Sequence, residues 1–239
     1  MRLNKFLSHA GVCSRRKADE FIKQGRVKIN SCVVKELGTK VDPFKDKIEV
    51  DGKLITPYIK FVYIALNKPT RVISSVFDPQ GRRTVIDLVP KTFRNKAIVP
   101  VGRLDFMSEG LILLTNDKEL IHKLTHPRHH IPKIYMVSVK GDVTEDKLDI
   151  MRKGMVLRDS TKLAPVKVKI KNRKGREFLL EMVLVQGINR QIRRMCHDLD
   201  LSILKLERIS IGPISLGELK PGSYRHLSNR EIKALKKIL

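Results

Sequence analysis

The chain is poor in cysteine, aromatic residues and acidic residues, and it contains no tryptophan. Its three cysteines, Cys13, Cys32 and Cys196, are odd in number and form no CxxC pair, a pattern that predicts reduced thiols in a cytoplasmic protein. No apolar run approaches the roughly 18 to 20 residues that a membrane span needs. The N-terminus also lacks the apolar core of a signal peptide. We therefore expect a cytoplasmic protein that has no membrane segment.

Sequence signatures of metal and nucleotide cofactors are also missing. His122 and His126 have the spacing of two zinc ligands on a helix, but the stretch lacks the glutamate of an HExxH site. Pro127 follows directly and ends the helix. The chain has neither a GxGxxG fingerprint nor a P-loop. We expect no metal and no organic cofactor.

Positive charge is what the chain has in excess. It carries 49 Lys and Arg against 25 Asp and Glu, a net charge of +24 over 239 residues. A folded chain with this charge repels itself unless a polyanion offsets the repulsion. Because 41% of the residues are hydrophobic, the chain can bury a core and is not disordered as a whole. Nucleic acid is the expected partner, and an anionic membrane surface is the weaker alternative.

Residues 1–55 have the pattern of a small module of two helices and short strands. Apolar residues with helical spacing precede Gly11, and Ser14 can cap a second helix that ends at Gly25. Three β-like pieces and an Asp51–Gly52 turn follow. Thr56–Tyr58 is a plausible linker. The β-like pieces are Val27–Ile29, Cys32–Val34 and Ile48–Val50.

The positive charge of this module clusters around the start of its second helix. Cations at a helix N-terminus oppose the macrodipole, which favours acidic residues there. The placement is favourable if phosphates lie between the cations and the free N–H groups. The alternative is an ordinary solvated helix face. The expected RNA contacts are Arg2, Lys5, Arg15, Arg16, Lys17 and Arg26.

The stretch RLNKFLSHAGVCSRRKADEFIKQGRVKIN, together with the KIEVDGK turn, resembles an S4 domain. S4 domains are small RNA-binding modules of ribosomal proteins and RNA-modifying enzymes. The resemblance implies RNA as the partner, but it does not identify a reaction, because S4 domains accompany many activities.

From about Phe61 onward the pattern becomes α+β. Strands and helices alternate irregularly, so a mixed or antiparallel sheet with peripheral helices fits better than a βαβ repeat. Residues 166–185 predict a hairpin whose turn is Asn172–Gly175. Ser228 and Glu231 form a capping box that opens a final basic helix.

Three polar features lie at or beside predicted strand ends. They are the GRLD step at 102–105, the Lys133–Tyr135 segment, and a loop at 186–195 with three arginines inside five residues. Each has a structural explanation when it is considered alone. Asp105 can be a turn or helix cap, Tyr135 a sheet residue with its hydroxyl at the surface, and the arginines solvated or phosphate-binding groups.

Considered together, the three features favour a reactive site. A pure nucleic-acid binder gains nothing from a carboxylate near its anion-binding surface. A carboxylate that faces an arginine in a cleft stays ionised. A nucleophile or general base near neutral pH needs that charge.

The same stretches carry a second resemblance, which is more specific and spans nearly the whole chain. VGRLDFMSEGLILLTND, KIYMVSV, LVQGINRQIRRMC and LKLERISIGPISL, in this order after the S4-like module, resemble the RsuA/RluB/RluE/RluF family of bacterial ribosomal RNA pseudouridine synthases. The last two stretches are most similar to the RluF-like branch, which acts on large-subunit rRNA. The implied fold is α+β. An S4 domain at 1–58 precedes a catalytic domain at 59–239, which has a mixed, mainly antiparallel sheet and peripheral helices.

The resemblance also implies roles for individual residues. Asp105 matches the catalytic aspartate, Tyr135 the aromatic that packs on the target base and takes part in proton transfer, and Arg193 the arginine that pairs with the aspartate. Ile134 departs from the polar residue that is more usual between the lysine and the tyrosine. The implied substrate-binding residues are Arg103, Leu206, Arg190, Arg194 and Lys133.

The implied reaction detaches uracil from C1′ of its ribose, turns it, and rejoins it through C5. Either a covalent C1′ adduct or a glycal can connect the two states. The base must leave the RNA stack to react. The implied partner is ribosomal RNA, as 23S rRNA or an assembling large subunit, and the implied oligomeric state is a monomer.

Two other functions fit the sequence in part. Composition fits a non-catalytic S4-type RNA-binding or ribosome-assembly factor equally well, although such a factor has no need of Asp105. An RNA hydrolase is less favoured, because glycosidases usually place two carboxylates around the bond and Asp105 has no evident partner.

Overall fold

The computed structural model describes residues 1–43, 45–56, 61–94 and 97–238, and the chain folds as two units. One unit comprises Met1–Val62 with Thr92–Ile98, and the other comprises Tyr63–Lys91 with Val99–Leu239. Pro57 and Tyr58 of the predicted linker, and the predicted boundary between residues 58 and 59, lie outside the described residues. No helix of the described residues is long and apolar enough to cross a membrane.

Local signals explain the secondary structure of the N-terminal unit. The hydroxyl of Ser14 accepts a hydrogen bond from the Lys17 amide at 3.2 Å and caps the second helix as predicted. Asp51 and Gly52 both adopt positive φ, the geometry of a two-residue hairpin turn. The strands form an antiparallel sheet in the order β2-β1-β3-β4. The elements are α1 (Leu3–His9), α2 (Arg15–Lys23), β1 (Val27–Ile29), β2 (Cys32–Val34), β3 (Ile48–Val50) and β4 (Lys53–Ile55).

Nine further strands form one large sheet. Their order is β13-β5-β7-β11-β8-β10-β9, with β12 added to β11 and β6 added to β7. The pair β7–β11 is parallel, whereas the other strand pairs recorded for this sheet are antiparallel. The predicted α+β class with a mixed, mainly antiparallel sheet is confirmed. The strands are β5 (Tyr63–Lys68), β6 (Val99–Pro100), β7 (Glu109–Thr115), β8 (Lys133–Lys140), β9 (Lys167–Lys174), β10 (Glu177–Leu184), β11 (Ser202–Ile211), β12 (Ile214–Ser215) and β13 (Tyr224–His226).

Helices cover this sheet and divide its core into two clusters. The first packs α5 and α6 on β8, β9 and β10, and the second packs α4 and α7 on β5 and β7. Short 3₁₀ turns occur at Val85–Leu88 and Pro127–His129. The predicted capping box of Ser228 and Glu231 opens the last helix. The helices that cover the sheet are α4 (Lys118–Thr125), α5 (Glu145–Lys153), α6 (Gln191–Asp198) and α7 (Asn229–Lys237). A short helix, α3 (Lys91–Arg94), falls mostly in the first unit.

Gly110 allows the parallel pairing of β7 and β11. Its φ is +99°, and a Cβ placed on it would lie 2.3 Å from the carbonyl oxygen of Arg208. Only glycine fits both the backbone conformation and this close approach. The pairing brings the end of the GRLD loop beside β11.

The predicted hairpin at 166–185 forms, but its turn is displaced. Strand β9 continues through Lys174, and the two turn residues are Gly175 and Arg176. The register skips Lys171, because Leu179 pairs with Asn172 and Leu180 pairs with Ile170. The prediction of a turn at Asn172–Gly175 was wrong, since this bulge interrupts the simple alternation on which it depended.

Candidate active site

Asp105 lies in the loop between β6 and β7, and backbone contacts hold that loop. The hydroxyl of Ser74 accepts from the Leu104 amide at 3.0 Å and donates to the Leu104 carbonyl at 2.8 Å. The Arg71 amide donates to the Phe106 carbonyl at 2.7 Å. The Ser108 amide donates to the Asp105 carbonyl at 3.0 Å, which closes a tight turn. The carboxylate takes no part in these contacts.

Two arginines approach the Asp105 carboxylate from the start of α6. Nη1 of Arg190 and Nε of Arg193 each lie 3.7 Å from Oδ2. Arg193 was predicted to pair with Asp105, whereas Arg190 was predicted only to bind substrate. The Arg190 side chain is 54% exposed and that of Arg193 is 18% exposed, so solvent screens the Arg193 contact far less.

Arg193 also binds the Asp105 loop itself. Its Nη2 donates to the Met107 carbonyl at 2.9 Å and to the Ser108 hydroxyl at 3.1 Å. Burial lowers its pKa from the usual value, as does the neighbouring Arg190, while Asp105 acts in the opposite direction. One guanidinium therefore fixes both the loop and the carboxylate.

The start of α6 depends on a left-handed residue. Arg190 is the N-cap of this helix at φ +50°, and the Gln191 amide donates to the Ile188 carbonyl at 3.2 Å. A non-glycine residue in this conformation is maintained by its surroundings and is common at functional sites. The turn brings the loop at 186–190 and the first turn of α6 to the same cleft.

Strands β8 and β11 supply another side of the cleft. Tyr135 is paired in register with Arg208, and Val137 is paired with Leu206. Tyr135 is half-buried against the α5–α6 core, and Leu206 is buried in that core. An aromatic ring and an apolar side chain thus form a wall that suits a planar base.

These elements enclose a cleft of about 390 Å³, within the range of small-ligand sites, roughly 300 to 1,000 Å³. Asp105 is the one carboxylate among its lining residues. The two-carboxylate arrangement of a glycosidase therefore gains no support here. The predicted site residues that line the cleft are Arg103, Asp105, Lys133, Tyr135, Arg190, Arg193 and Leu206.

Among the predicted catalytic and substrate-binding residues, Arg194 is the one that does not line the cleft. Its guanidinium pairs with Asp159 and donates to the Thr161 hydroxyl at 2.9 Å. Successive helical residues point about 100° apart, so Arg193 and Arg194 face different surroundings. The geometry therefore shows Arg194 in contact with the 159–161 segment, and its contact with substrate stays a prediction.

Three polar residues of this region were missed by the sequence reasoning. Lys68 is fully buried at the end of β5, and its Nζ donates to the Pro69 carbonyl at 2.9 Å. Burial lowers its pKa to about 8, opposed by Glu109 and Asp105. Gln191 and Arg208 line the cleft and are almost completely buried. Strand-end lysines and helix-start glutamines have no local signature that would have identified them.

Lys133, a predicted substrate-binding residue, is also partly buried. Its Nζ donates to the Ile131 carbonyl at 2.9 Å. Burial and, to a smaller extent, repulsion by the Arg208 cation lower its pKa to about 8. The cleft is thus lined by several cations and a single carboxylate, an arrangement that suits a polyanionic substrate.

Three of the seven histidines form a ring cluster, and one of them, His126, lines the cleft. The ring centroids of His122 and His126 are 5.1 Å apart, and those of His126 and His129 are 6.2 Å apart. In the part of the chain that the structure describes, no group of three or more His, Cys, Asp or Glu could hold a metal ion.

The six basic residues predicted to bind RNA in the N-terminal unit are all exposed, but they differ in their partners. Lys17 pairs with Glu20 at 2.6 Å. Arg26 pairs with Asp51 through two hydrogen bonds and lies 3.9 Å from the centroid of the Phe21 ring. Arg2, Lys5, Arg15 and Arg16 make no ion pair within the described residues and are the better placed for phosphate.

Known proteins share both units of the chain. Residues 62–198 match the family described as RNA pseudouridylate synthase, and residues 1–48 match the S4 domain. Ribosomal large subunit pseudouridine synthase B of Bacillus subtilis (strain 168) is 41% identical over 239 residues, 98% of this chain and 95% of that protein. Dual-specificity RNA pseudouridine synthase RluF of Escherichia coli (strain K12) is 38% identical over 241 residues, 100% of this chain and 79% of that protein.

A solved structure is similar in fold as well as in sequence. The crystal structure of a pseudouridylate synthase superposes with a TM-score of 0.71 at 29% identity, and the match covers 98% of this chain and 99% of that one. The similarity includes the strands and loops that build the cleft around Asp105, since the match covers almost every residue of both chains.

Proposed function

The chain belongs to the RNA pseudouridylate synthase family, and from this membership we propose that it converts a specific uridine of large-subunit ribosomal RNA to pseudouridine. The observation that carries the proposal is the position of Asp105. Its carboxylate lies 3.7 Å from two arginines in a cleft that is large enough for one nucleoside and walled by Tyr135 and Leu206.

The reaction rearranges atoms without adding any. The N1–C1′ bond breaks and its electron pair leaves with the uracil. The base turns, C5 bonds to C1′, C5 loses its proton, and N1 gains one. Asp105 assists the cleavage by attack on C1′ or by removal of the 2′ hydrogen. Arg193 and Arg190 hold the carboxylate and stabilise the negative charge that develops on the departing uracil.

We propose two RNA-binding regions. Residues 1–58 act as an S4 domain that contacts phosphates through Arg2, Lys5, Arg15 and Arg16, and residues 59–239 act as the catalytic domain. In the cleft, Lys133 and Arg103 bind the backbone around the flipped nucleotide. Arg103 is exposed at the rim, and Lys133 is half-buried. We propose further that the protein acts as a cytoplasmic monomer.

The names of the two curated relatives differ in substrate. The Bacillus subtilis protein is named for the large ribosomal subunit, and the Escherichia coli protein is named for dual specificity. This chain is 41% identical to the first and 38% identical to the second, and its membership of the RluF-like branch stays a prediction. The substrate that we propose is 23S rRNA, either free or in an assembling large subunit.

A direct assay maps pseudouridine on RNA. Purified protein would be incubated with large-subunit and small-subunit rRNA from a strain that lacks the synthase, and with assembling particles. Carbodiimide treatment followed by reverse transcription then locates the modified positions. We expect one new stop in large-subunit rRNA. A wild-type protein that binds this RNA and makes no pseudouridine would favour the non-catalytic assembly factor.

The Asp105→Asn variant is the matched control in this assay. Asparagine keeps the shape of the side chain and an acceptor oxygen, but it is uncharged and a poor nucleophile. We expect pseudouridine formation to disappear while RNA affinity stays the same or rises. Asp105→Glu should also fail, because a displacement of about 1 Å can decrease the rate by roughly 10²-fold. Substantial product from the asparagine variant would contradict the role of Asp105.

A further inference from the structure

Two side chains of the cleft are nearly buried and each has a polar atom without a hydrogen-bond partner. Gln191 is 5% exposed and Arg208 is 3% exposed, and both line the cleft. Within the described residues, Oε1 of Gln191 and Nη2 of Arg208 have no partner. Nε of Arg208 donates to the Leu111 carbonyl at 2.8 Å. The guanidinium is therefore fixed through Nε, while its Nη2 has no hydrogen-bond partner.

Unpartnered buried polar atoms are rare in folded proteins, because each loses its hydrogen bonds to water without replacement. Nε of Arg193 is a third such atom in the cleft, and it faces the Asp105 carboxylate at 3.7 Å. The atoms on Gln191 and Arg208 face no such charge, which indicates that the ligand completes them. One is an acceptor, the amide oxygen, and the other is a donor, the guanidinium N–H. A ligand that satisfies both presents a donor and an acceptor.

The Watson–Crick edge of uracil has this pattern, since N3–H is a donor and is flanked by the carbonyl oxygens O2 and O4. We propose that Gln191 Oε1 accepts from N3–H and that Arg208 donates to the carbonyl oxygen beside it. The inference rests on the proposed function and names the residues that recognise its base. Arg208 is paired in register with Tyr135, so the donor stands beside the ring proposed to pack on the base.

Gln191 and Arg208 can hydrogen-bond the uracil both before and after it turns during the rearrangement. A half-turn of uracil about the axis through N3 and C6 places C5 where N1 was and exchanges C2 with C4. The N3–H group stays in place, and one carbonyl oxygen replaces the other. Gln191 and Arg208 therefore make the same two hydrogen bonds before and after the turn, so the detached base is held while it moves.

The same pair of hydrogen bonds explains the rejection of cytosine. Cytosine has an acceptor at N3, and its half-turn exchanges the O2 acceptor with the N4 amino donor. Arg208 has only donors, so one of the two orientations would bring two donors together. A site whose buried polar groups are left unpaired by the wrong base discriminates strongly.

The test uses RNA with a single base change at the target position. Loss of the C5 proton accompanies product formation, so tritium at C5 reports conversion in a single turnover. Uridine would be compared with 3-methyluridine, which lacks the N3–H donor. We expect the wild-type protein to convert 3-methyluridine at least about 10²-fold more slowly. Equal rates would overturn the assignment of Gln191 while leaving the synthase activity itself intact.

Variants separate recognition from steric exclusion. Gln191→Ala removes the acceptor and makes room for the methyl group, so its rates on uridine and 3-methyluridine should agree within about 3-fold. Gln191→Glu keeps an acceptor and should keep the discrimination. Gln80→Ala, the same change at an exposed residue that does not line the cleft, is the control that should behave as wild type. Full discrimination by Gln191→Ala would overturn the proposal.

Thio-substituted uridines test Arg208 in the wild-type protein. Sulfur accepts hydrogen bonds poorly, and each carbonyl faces Arg208 in one of the two orientations. Conversion should therefore be slower with both 2-thiouridine and 4-thiouridine. An unchanged rate with either analogue overturns the assignment of Arg208. A wild-type protein that converts no RNA at all would instead refute the proposed function.

Discussion

Replacement of Arg193 by lysine tests the geometry of the Asp105 site most directly. Lysine keeps the positive charge, but it lacks the planar fork that places Nε towards Asp105 and Nη2 on the loop carbonyl and hydroxyl. The substitution therefore removes two hydrogen bonds, of 2.9 and 3.1 Å, and the fixed contact with the carboxylate at 3.7 Å. Arg190→Lys is the matched control, since it changes an arginine at the same distance from the same oxygen.

The expected magnitudes differ because the two arginines differ in exposure. Hydrogen bonds to a charged group contribute about 1.5–3 kcal/mol each, and an ammonium group can replace part of that. A net loss of about 2–3 kcal/mol in the transition state corresponds to about a 30- to 150-fold slower reaction. Arg190 is 54% exposed, and an exposed ion pair contributes about 0–1 kcal/mol, at most about a 5-fold effect.

The assay is the single-turnover release of tritium from C5 at saturating enzyme, with RNA affinity and thermal unfolding measured in parallel. We expect Arg193→Lys to slow the chemical step while its RNA affinity stays near that of the wild type. Equal and mild decreases in rate at both positions would show that both arginines bind phosphate. A decrease that follows RNA affinity alone would refute the pairing of Arg193 with Asp105.

Three further results are expected. Tyr135→Phe keeps the packing of the ring, so RNA binding should persist. If the hydroxyl transfers a proton, turnover should fall by roughly 10²-fold. Turnover equal to that of the wild type would show that Tyr135 only packs against the base. The double variant Arg15→Ala/Arg16→Ala should bind RNA more weakly. The slope of log affinity against log salt concentration should fall by about one for each phosphate that is no longer bound. Arg26→Ala, which breaks an internal pair with Asp51, should leave this slope unchanged. Lys133 has a pKa of about 8 in the folded chain, below its unfolded value, so the unfolded state binds more protons between these two pKa values. The free energy of unfolding should therefore rise with pH across this window, and a chemical-denaturation series on Lys133→Met should show a smaller rise; an identical rise would refute the burial of this amine.

Local signals made much of the fold predictable. The Ser14 cap, the Gly25 stop and the Ser228 capping box each depend on residues within one helical turn, and each was confirmed. The β9–β10 turn was displaced because a bulge at Lys171 is a property of the pairing of two strands. A bulge leaves almost no trace in the sequence of one strand.

The site was less predictable wherever burial decides the role of a side chain. Arg193 and Arg194 are adjacent in sequence and chemically identical, yet one lines the cleft and the other pairs with Asp159. Helical geometry predicts that they diverge, but only the packing of α6 determines which one faces the cleft. Lys68, at the end of β5, and Arg208, inside β11, resemble ordinary strand cations in the sequence. Their burial depends on strands that are distant along the chain.

Asp105 was open to two interpretations, a turn residue or a reactive group, and the structure shows that the two are compatible. The turn uses the carbonyl of Asp105, which accepts from the Ser108 amide, and the neighbouring contacts use the backbones of Leu104 and Phe106. A capping aspartate would instead accept a backbone N–H with its side chain. The carboxylate remains 28% exposed to the cleft and faces two arginines. The backbone of the loop supplies rigidity, which leaves the only carboxylate among the cleft-lining residues available for the reaction.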